Sequence, residues 1–365
     1  MMLPFDFSAK LLTWFDKNGA ILPWRGGNAY QVWLSEIMLQ QTQIETVIPY
    51  YRAFLVAYPT VQDLANAPLD EVLKKWEGLG YYRRARHLHE TARIITHEHG
   101  GVFPADVATL LTLKGVGRYT AGAIASIAYS TRAPVLDGNL IRVFTRLLDL
   151  PDDVSQAQTQ SALWHIAEAN LPQERVGDYN QALMQLGQLV CTPKAPKCHA
   201  CPLVQTCKAH ANNTQAQRPY KPPKAKTPHY DVVAGVVRDV SGRYLIAQRK
   251  PDGLLGGLWE FAGGKVEAGE THSDALKREL REELAIEVRV GELLTVVKHA
   301  FTHFKITLYA YECAYLGALA PHDSPQAIDC QAWAWAEEAE LTHYAFGKAD
   351  RAIIAELQRR KTQLL

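Results

Sequence analysis

The sequence predicts a multidomain chain: an all-α domain followed by an α+β domain. Three observations predict it. Residues 1–208 place apolar side chains at helical spacing, punctuated by glycine and proline. Residues 209–229 are polar, basic and proline-rich. Beyond them, short runs rich in Val, Ile, Tyr and Leu surround a charged helical pattern. In the first domain, helices are predicted over Tyr30–Gln41 and near 44–57, 69–77, 82–98, 117–129, 139–148, 157–169 and 178–190, with breaks at Pro59, Gly78–Gly80, Gly100–Pro104 and Pro172. The stretch 209–229, AHANNTQAQRPYKPPKAKTPH, holds too little apolar surface to offset the entropy of ordering and is read as a linker. Its Arg218, Lys221, Lys224 and Lys226 either lie near phosphate or belong to a solvated tether. In the second domain, 230–365, strands are predicted over Tyr230–Arg238, Arg243–Arg249, Val288–His299 and Lys305–Leu316, and helices at 272–284 and 347–361.

At 365 residues the chain is long enough for two or three domains. Its 39 basic and 38 acidic residues nearly cancel, so any nucleic-acid footprint must be local. No apolar run reaches the ~18 residues needed to span a bilayer, so no membrane partner is expected. The start, MMLPFDFSAKLLTWF, lacks a basic segment followed by an apolar one, so no secretion signal is expected. With cysteines spaced as metal ligands, this points to a cytoplasmic protein, expected to be a monomer.

Four of the six cysteines, Cys191, Cys198, Cys201 and Cys207, fall in the pattern C-x6-C-x2-C-x5-C. Long helical flanks argue against a disulfide scaffold, and four thiolates this close suit one soft metal centre. Zinc sites favour two C-x2-C knuckles where this loop (191–207) has one, so zinc and an iron–sulfur cluster both stay open on spacing alone. Cys313 and Cys330 are read as ordinary strand or loop residues.

The run Leu113-Lys114-Gly115-Val116-Gly117-Arg118-Tyr119-Thr120-Ala121-Gly122 joins two helical patterns. Its glycines allow a tight turn and close backbone approach, and the helix that follows offers free N–H groups to an anion. A plain helical connector is the other reading. Downstream, Asp137 stands at a helix start in V-L-D-G-N, where an N-cap is its simplest role. Upstream, Glu36 is the lone carboxylate in an apolar, amide-rich helix, W-L-S-E-I-M-L-Q-Q-T-Q. A solvated or capping glutamate is the plain reading there. An apolar setting would raise its pKa and let it keep a proton to donate. Two carboxylates in different settings let one site run acid and charge-stabilising roles together.

These stretches, with G-L-G-Y-Y-R-R-A-R and the cysteine ladder, resemble the MutY family of adenine DNA glycosylases in the helix–hairpin–helix superfamily. The resemblance implies a 4Fe-4S cluster on Cys191, Cys198, Cys201 and Cys207, with Lys194 and Lys197 near DNA phosphates. It implies that Gly115, Gly117 and Arg118 of the hairpin grip the backbone without reading bases. It assigns Glu36 to protonating a flipped adenine and Asp137 to stabilising the oxocarbenium-like sugar, with Tyr119 beside the site and Asn139 supporting it. It makes Gln41 and Tyr81 wedges beside the partner strand, and leaves Tyr82 to packing. The implied partner is double-stranded DNA containing adenine opposite 8-oxoguanine or guanine. Relatives that also cleave the backbone carry lysine at the Tyr119 position. Tyrosine forms no imine, so a monofunctional enzyme is expected. Lys114 stands where the family usually has proline.

In the second domain, Gly264, Glu270, Arg278, Glu279, Leu280, Glu282, Glu283 and Ile286 match the Nudix box, and Ala285 replaces its last glycine. Glu279, Glu282 and Glu283 share a helix face, which suits Mg2+ and a diphosphate. The run His299-Ala300-Phe301-Thr302-His303-Phe304 resembles the F-S-H loop with which MutY proteins contact 8-oxoguanine, through Thr302 and His303 here. Two readings of 230–365 stay open: a Nudix-like 8-oxoguanine recognition domain, or a working Nudix hydrolase of oxidised nucleoside triphosphates. The reading from a different class makes that hydrolase the whole activity, with the helical half as a DNA tether.

Overall fold

A computed structural model describes residues 3–4, 6–223 and 227–364, the last for its backbone only. Lys224 and Lys226 lie outside the described residues. The first half is helical: α1 (Phe7–Asn18), α2 (Ala29–Leu39), α3 (Ile44–Ala57), α4 (Val61–Asn66), α5 (Leu69–Trp76), α6 (Arg83–Glu98), α7 (Val107–Leu110), α8 (Arg118–Tyr129), α9 (Gly138–Leu148), α10 (Ala157–Ala169), α11 (Val176–Leu189) and α12 (Lys208–Ala211). The second half adds β1 (His229–Arg238), β2 (Tyr244–Gln248), β3 (Trp259–Glu260), α13 (His272–Leu284), β4 (Ile286–Ala300), β5 (Lys305–Ala318), β6 (Ala332–Ala336) and α14 (Lys348–Leu364). The predicted fold class is the one observed. Sequence periodicity did not mark α1, α4, α7, α12, β3 or β6.

The chain divides into two compact units, and their boundaries differ from the expected ones. The first comprises residues 1–66 and 87–224, the second 67–86 and 225–365. In the first, α1, α9, α10 and α11 build a core around Leu11, Phe144, Leu163 and Leu186. Much of the expected linker packs here instead of hanging free. Asp149 accepts from Asn212 and Thr214 and pairs with Arg218 at 2.9 Å. Tyr220 closes a bridge to Asp153. Sequence composition missed this because the ordering comes from polar contacts to α9 and its end, not from apolar burial.

In the second unit the sheet runs β3-β2-β1-β5-β4, with β6 paired to β2. β1 and β5 are parallel; β4 and β5 are antiparallel. Alternation along β1 sends Val233 and Val237 to the α13 face, and Ala234 and Val236 to the α14 face. The segment 67–86 belongs with this unit. Lys74 pairs with Glu77 at 3.0 Å, donates to Tyr344 O at 2.8 Å, and Glu77 accepts from Phe346 N at 2.9 Å. Leu73 and Trp76 are buried.

Ala285 ends α13 in the left-handed region (φ 52°, ψ 45°) and is buried. An L-residue with a Cβ is disfavoured there by about 1–2 kcal/mol relative to glycine. Ala285→Gly is expected to raise unfolding free energy by about 1 kcal/mol, offset in part by the freer unfolded chain. Denaturant unfolding of the full chain measures it; a loss of stability would show that the left-handed turn is not strained.

Candidate active site

α2 begins at a capping box: Asn28 accepts from Gln31 N and Gln31 returns the bond to Asn28 N, both at 3.0 Å. The helix is then apolar on every side, with Trp33, Leu34, Ile37 and Met38 buried. Glu36 is carried into that setting and is only 6% exposed. It faces a cavity of about 820 Å³ that Tyr119 from α8, Asp137 and Asn139 from α9, and Gln181, Met184 and Gln185 from α11 also line. The structure thus brings together all four residues predicted for the chemistry.

Asp137 takes the N-cap role the sequence allowed and also lines the cavity. It caps α9, taking Asn139 N at 2.9 Å and Leu140 N at 2.8 Å on Oδ1. Its other oxygen, Oδ2, accepts from Asn139 Nδ2 at 2.8 Å. Burial pushes its carboxyl above the usual range, against the pull of those bonds and of Arg142's charge. Glu36 is different. Burial, opposed by a bond from the Tyr119 hydroxyl and reinforced by Asp137's charge, pushes it up to about 7. The Tyr119 hydroxyl also lies in donating geometry to Met184 Sδ at 3.4 Å. Burial thus raises both carboxyls, and Asp137 is the one held by backbone and amide donors that favour its charge.

Behind Asp137, α9 presents two arginines that sequence reasoning passed over. Arg142 reaches Asn139 Oδ1 at 2.8 Å, Gly187 O at 2.6 Å and Cys191 O at 2.7 Å. Gly187 is required, because a Cβ there would sit 2.6 Å from that of Asn139. Arg146 donates to Cys191 Sγ at 3.3 Å, Thr192 O at 2.7 Å and Pro193 O at 2.9 Å. The only sequence signal for them was their i, i+4 spacing on a helix that starts at the candidate aspartate.

The cysteine loop therefore abuts α9. None of the six cysteines forms a disulfide. Cys191, Cys201 and Cys207 pack on the core of the first unit. Burial pushes the Cys201 thiol up to about 12, and the charges of Cys191, Cys207 and Cys198 add to it. Burial also raises Cys207. Among the described residues, no three His, Cys, Asp or Glu converge as ligands of one ion. Four thiols that feel one another, with Arg146 donating to Cys191 Sγ, are ligands of the kind that suit a soft metal centre.

Comparison with known proteins shows the family. Residues 34–169 match the pattern described as HhH-GPD superfamily base excision DNA repair protein, and residues 233–356 match the NUDIX domain. The adenine DNA glycosylase of Rattus norvegicus is 38% identical, over 85% of this chain and 71% of its own length. The chain belongs to the adenine DNA glycosylase family. The Homo sapiens adenine DNA glycosylase is likewise 38% identical, over 85% of this chain and 67% of its own. A thermostable thymine-DNA glycosylase structure covers 56% of this chain and 95% of its own, at 29% identity and a TM-score of 0.51.

Around the cavity of this DNA glycosylase, the hairpin needs its first glycine. Gly115 has φ 74°, and a Cβ there would meet His87 Cβ at 2.8 Å. Gly117 is the N-cap of α8. Arg118 stacks over Trp164 at 4.0 Å. Lys114 is held by Glu90. Lys194 and Lys197 are exposed. Gln41 (φ 58°) and Tyr81 (φ 49°) both sit at left-handed turns with their side chains exposed, backbone strain of the kind found at functional positions. In the second unit, the Tyr81 hydroxyl lies 3.5 Å from Thr302 Oγ1. Thr302 and His303 are exposed, whereas Tyr82 is buried.

The glycosylase's Nudix box forms its helix, but its carboxylates are occupied. Arg278 pairs with Glu270 at 2.8 Å, Glu279 at 2.9 Å and Glu282 at 3.3 Å. Glu283 accepts from Gly263 N at 3.3 Å. A Cβ at Gly264 would meet the Glu279 carboxylate at 2.2 Å, so that side chain lies flat on the turn. Among the described residues, Glu279, Glu282 and Glu283 are not grouped as ligands of one ion.

Proposed function

We propose that this glycosylase removes adenine placed opposite 8-oxoguanine, or opposite guanine, by hydrolysing its N-glycosidic bond and leaving an abasic site. One observation carries the reading: Glu36 and Asp137 share one cavity, Glu36 on an apolar helix and Asp137 at the donor-rich start of α9. The base leaves the stack and enters the cavity. Glu36 gives its proton to the purine, which weakens the bond to the sugar. Asp137, held by Asn139 and the α9 N-terminus, stabilises the cationic sugar that remains. Tyr119 holds the Glu36 carboxyl in place. No lysine is among the lining residues, so the cavity supplies no amine for an imine and a strand-cleaving step.

Gly115, Gly117, Arg118, Lys194 and Lys197 are assigned to phosphates, so affinity should fall steeply with salt. Gln41, Tyr81, Thr302 and His303 are assigned to the 8-oxoguanine side. The four cysteines would hold a 4Fe-4S cluster, which ties the loop covalently and keeps Lys194 and Lys197 presented. Six unpaired thiols favour a reducing compartment such as the cytoplasm.

A single-turnover assay on a duplex with a central adenine opposite 8-oxoguanine tests this. Strand breakage only after alkali is expected. Breakage without alkali would overturn the monofunctional reading, and intact DNA after alkali would overturn adenine removal. Residues 230–365 are assigned to lesion recognition, not hydrolysis. The full chain, given 8-oxo-dGTP and Mg2+, should release no more pyrophosphate than its Glu282→Gln variant.

A further inference from the structure

Residues 181, 184, 185 and 188 of α11 line the cavity at i, i+3, i+4 and i+7. One of them, Gln185, is only 4% exposed, and its amide is spent on a single distant loop. Its Oε1 accepts from Ala20 N at 2.9 Å and from Arg25 Nη2 at 3.3 Å; its Nε2 donates to Asn18 O at 2.6 Å. The partners fix the amide's orientation, since Ala20 N only donates and Asn18 O only accepts. Arg25 closes the loop on itself through Ala20 O and stacks over Phe15 at 4.5 Å. The loop joins α1 to α2, and its Ala20, Leu22, Trp24 and Arg25 form a wall of the same cavity that Glu36 faces. Trp24 is buried and meets Tyr51 edge-on at 5.3 Å. The Gln185 side-chain amide joins this loop to α11.

We infer that Gln185 is a positioning residue for base excision, fixing the Asn18–Arg25 loop as the wall against which the extruded purine is held before Glu36. This rests on the proposed function, and goes beyond it by assigning a residue that touches neither the leaving base's proton donor nor the sugar. A misplaced wall leaves backbone recognition of DNA untouched, because the hairpin and the cysteine loop carry it. It loosens the geometry between purine and acid, where small displacements cost heavily in rate.

Gln185→Met keeps the volume and removes all three bonds. Gln185→Glu keeps the two to Ala20 and Arg25 and loses the one to Asn18. Single-turnover adenine release is expected to slow by about tenfold or more in Gln185→Met. Affinity for a duplex bearing a non-hydrolysable abasic analogue should stay within about twofold, and the pH midpoint of release should not move. Gln185→Glu should fall between Gln185→Met and the parent. Release from Gln185→Met within about twofold of the parent would overturn the inference, as would parallel loss of affinity and rate. So would a glutamate variant no faster than the methionine one, a comparison that stands even where Gln185→Met folds poorly. Failure of the parent chain itself to release adenine would instead sink the proposed function, so the two failures are distinct.

Discussion

Asp137→Asn should slow adenine release by at least ~10³-fold, about 4 kcal/mol of barrier, while leaving the fold and duplex binding intact. Asparagine is as good an N-cap as aspartate, so the bonds from Asn139 N and Leu140 N survive and α9 keeps its start. The bond from Asn139 Nδ2 to Oδ2 survives only if the new amide turns its oxygen that way, which leaves its NH₂ facing the backbone donors. What disappears outright is the negative charge. That charge sits half-buried, and burial raises its cost, so removing it should leave thermal stability unchanged or slightly higher. A residue kept only to cap a helix would show the reverse pattern, with rate preserved and stability altered. Comparing the single-turnover rate, the melting temperature and the binding of an uncleavable duplex separates the two roles. A rate within about tenfold of the parent would end the assignment.

The sequence showed the acids but not the frame around them. Glu36 was legible because one carboxylate in an otherwise apolar helix contradicts its surroundings, and such contradictions concentrate at working sites. Asp137 was legible as an N-cap from its place at a helix start, and as a site residue only through the resemblance carried by V-L-D-G-N. Gln185, Arg142 and Arg146 were not, because nothing local distinguishes a buried polar side chain from an exposed one. Gln185 and Arg25 are 160 positions apart, and only the fold makes them neighbours. The same limit hid the allegiance of residues 67–86. Lys74 and Glu77 read as an ordinary i, i+3 surface pair, yet their second bonds go to Tyr344 and Phe346. The strand β6, AWAWA, escaped because two tryptophans among alanines give little hydrophobic contrast, and its pairing with β2 supplies what propensity does not. The box helix was found at its true ends, but the pairing of Arg278 with Glu279 and Glu282 was not readable from their spacing.

Glu36→Gln should abolish release to a similar extent, and the parent enzyme's pH profile should report the same group. A proton donor pushed up to about 7 is mostly protonated at pH 6 and mostly ionised at pH 8. The rate should therefore be flat on the acid side and fall about tenfold per pH unit above the midpoint, until other groups intervene. Glutamine cannot titrate, so the residual rate of Glu36→Gln should lack that alkaline limb. Stability supplies an independent check. The folded-state pKa of Glu36 lies above its value in the unfolded chain, so the folded state holds the proton more tightly. That contribution is fully present below about pH 4.5 and is lost as pH rises through about 7. Relative to Glu36→Gln, the parent should thus lose stability across that window and level off above it. Both curves turn on one cause, the burial of the Glu36 carboxyl. An alkaline limb that persisted in the glutamine variant, or a stability gap independent of pH, would show that Glu36 is not the group being held neutral.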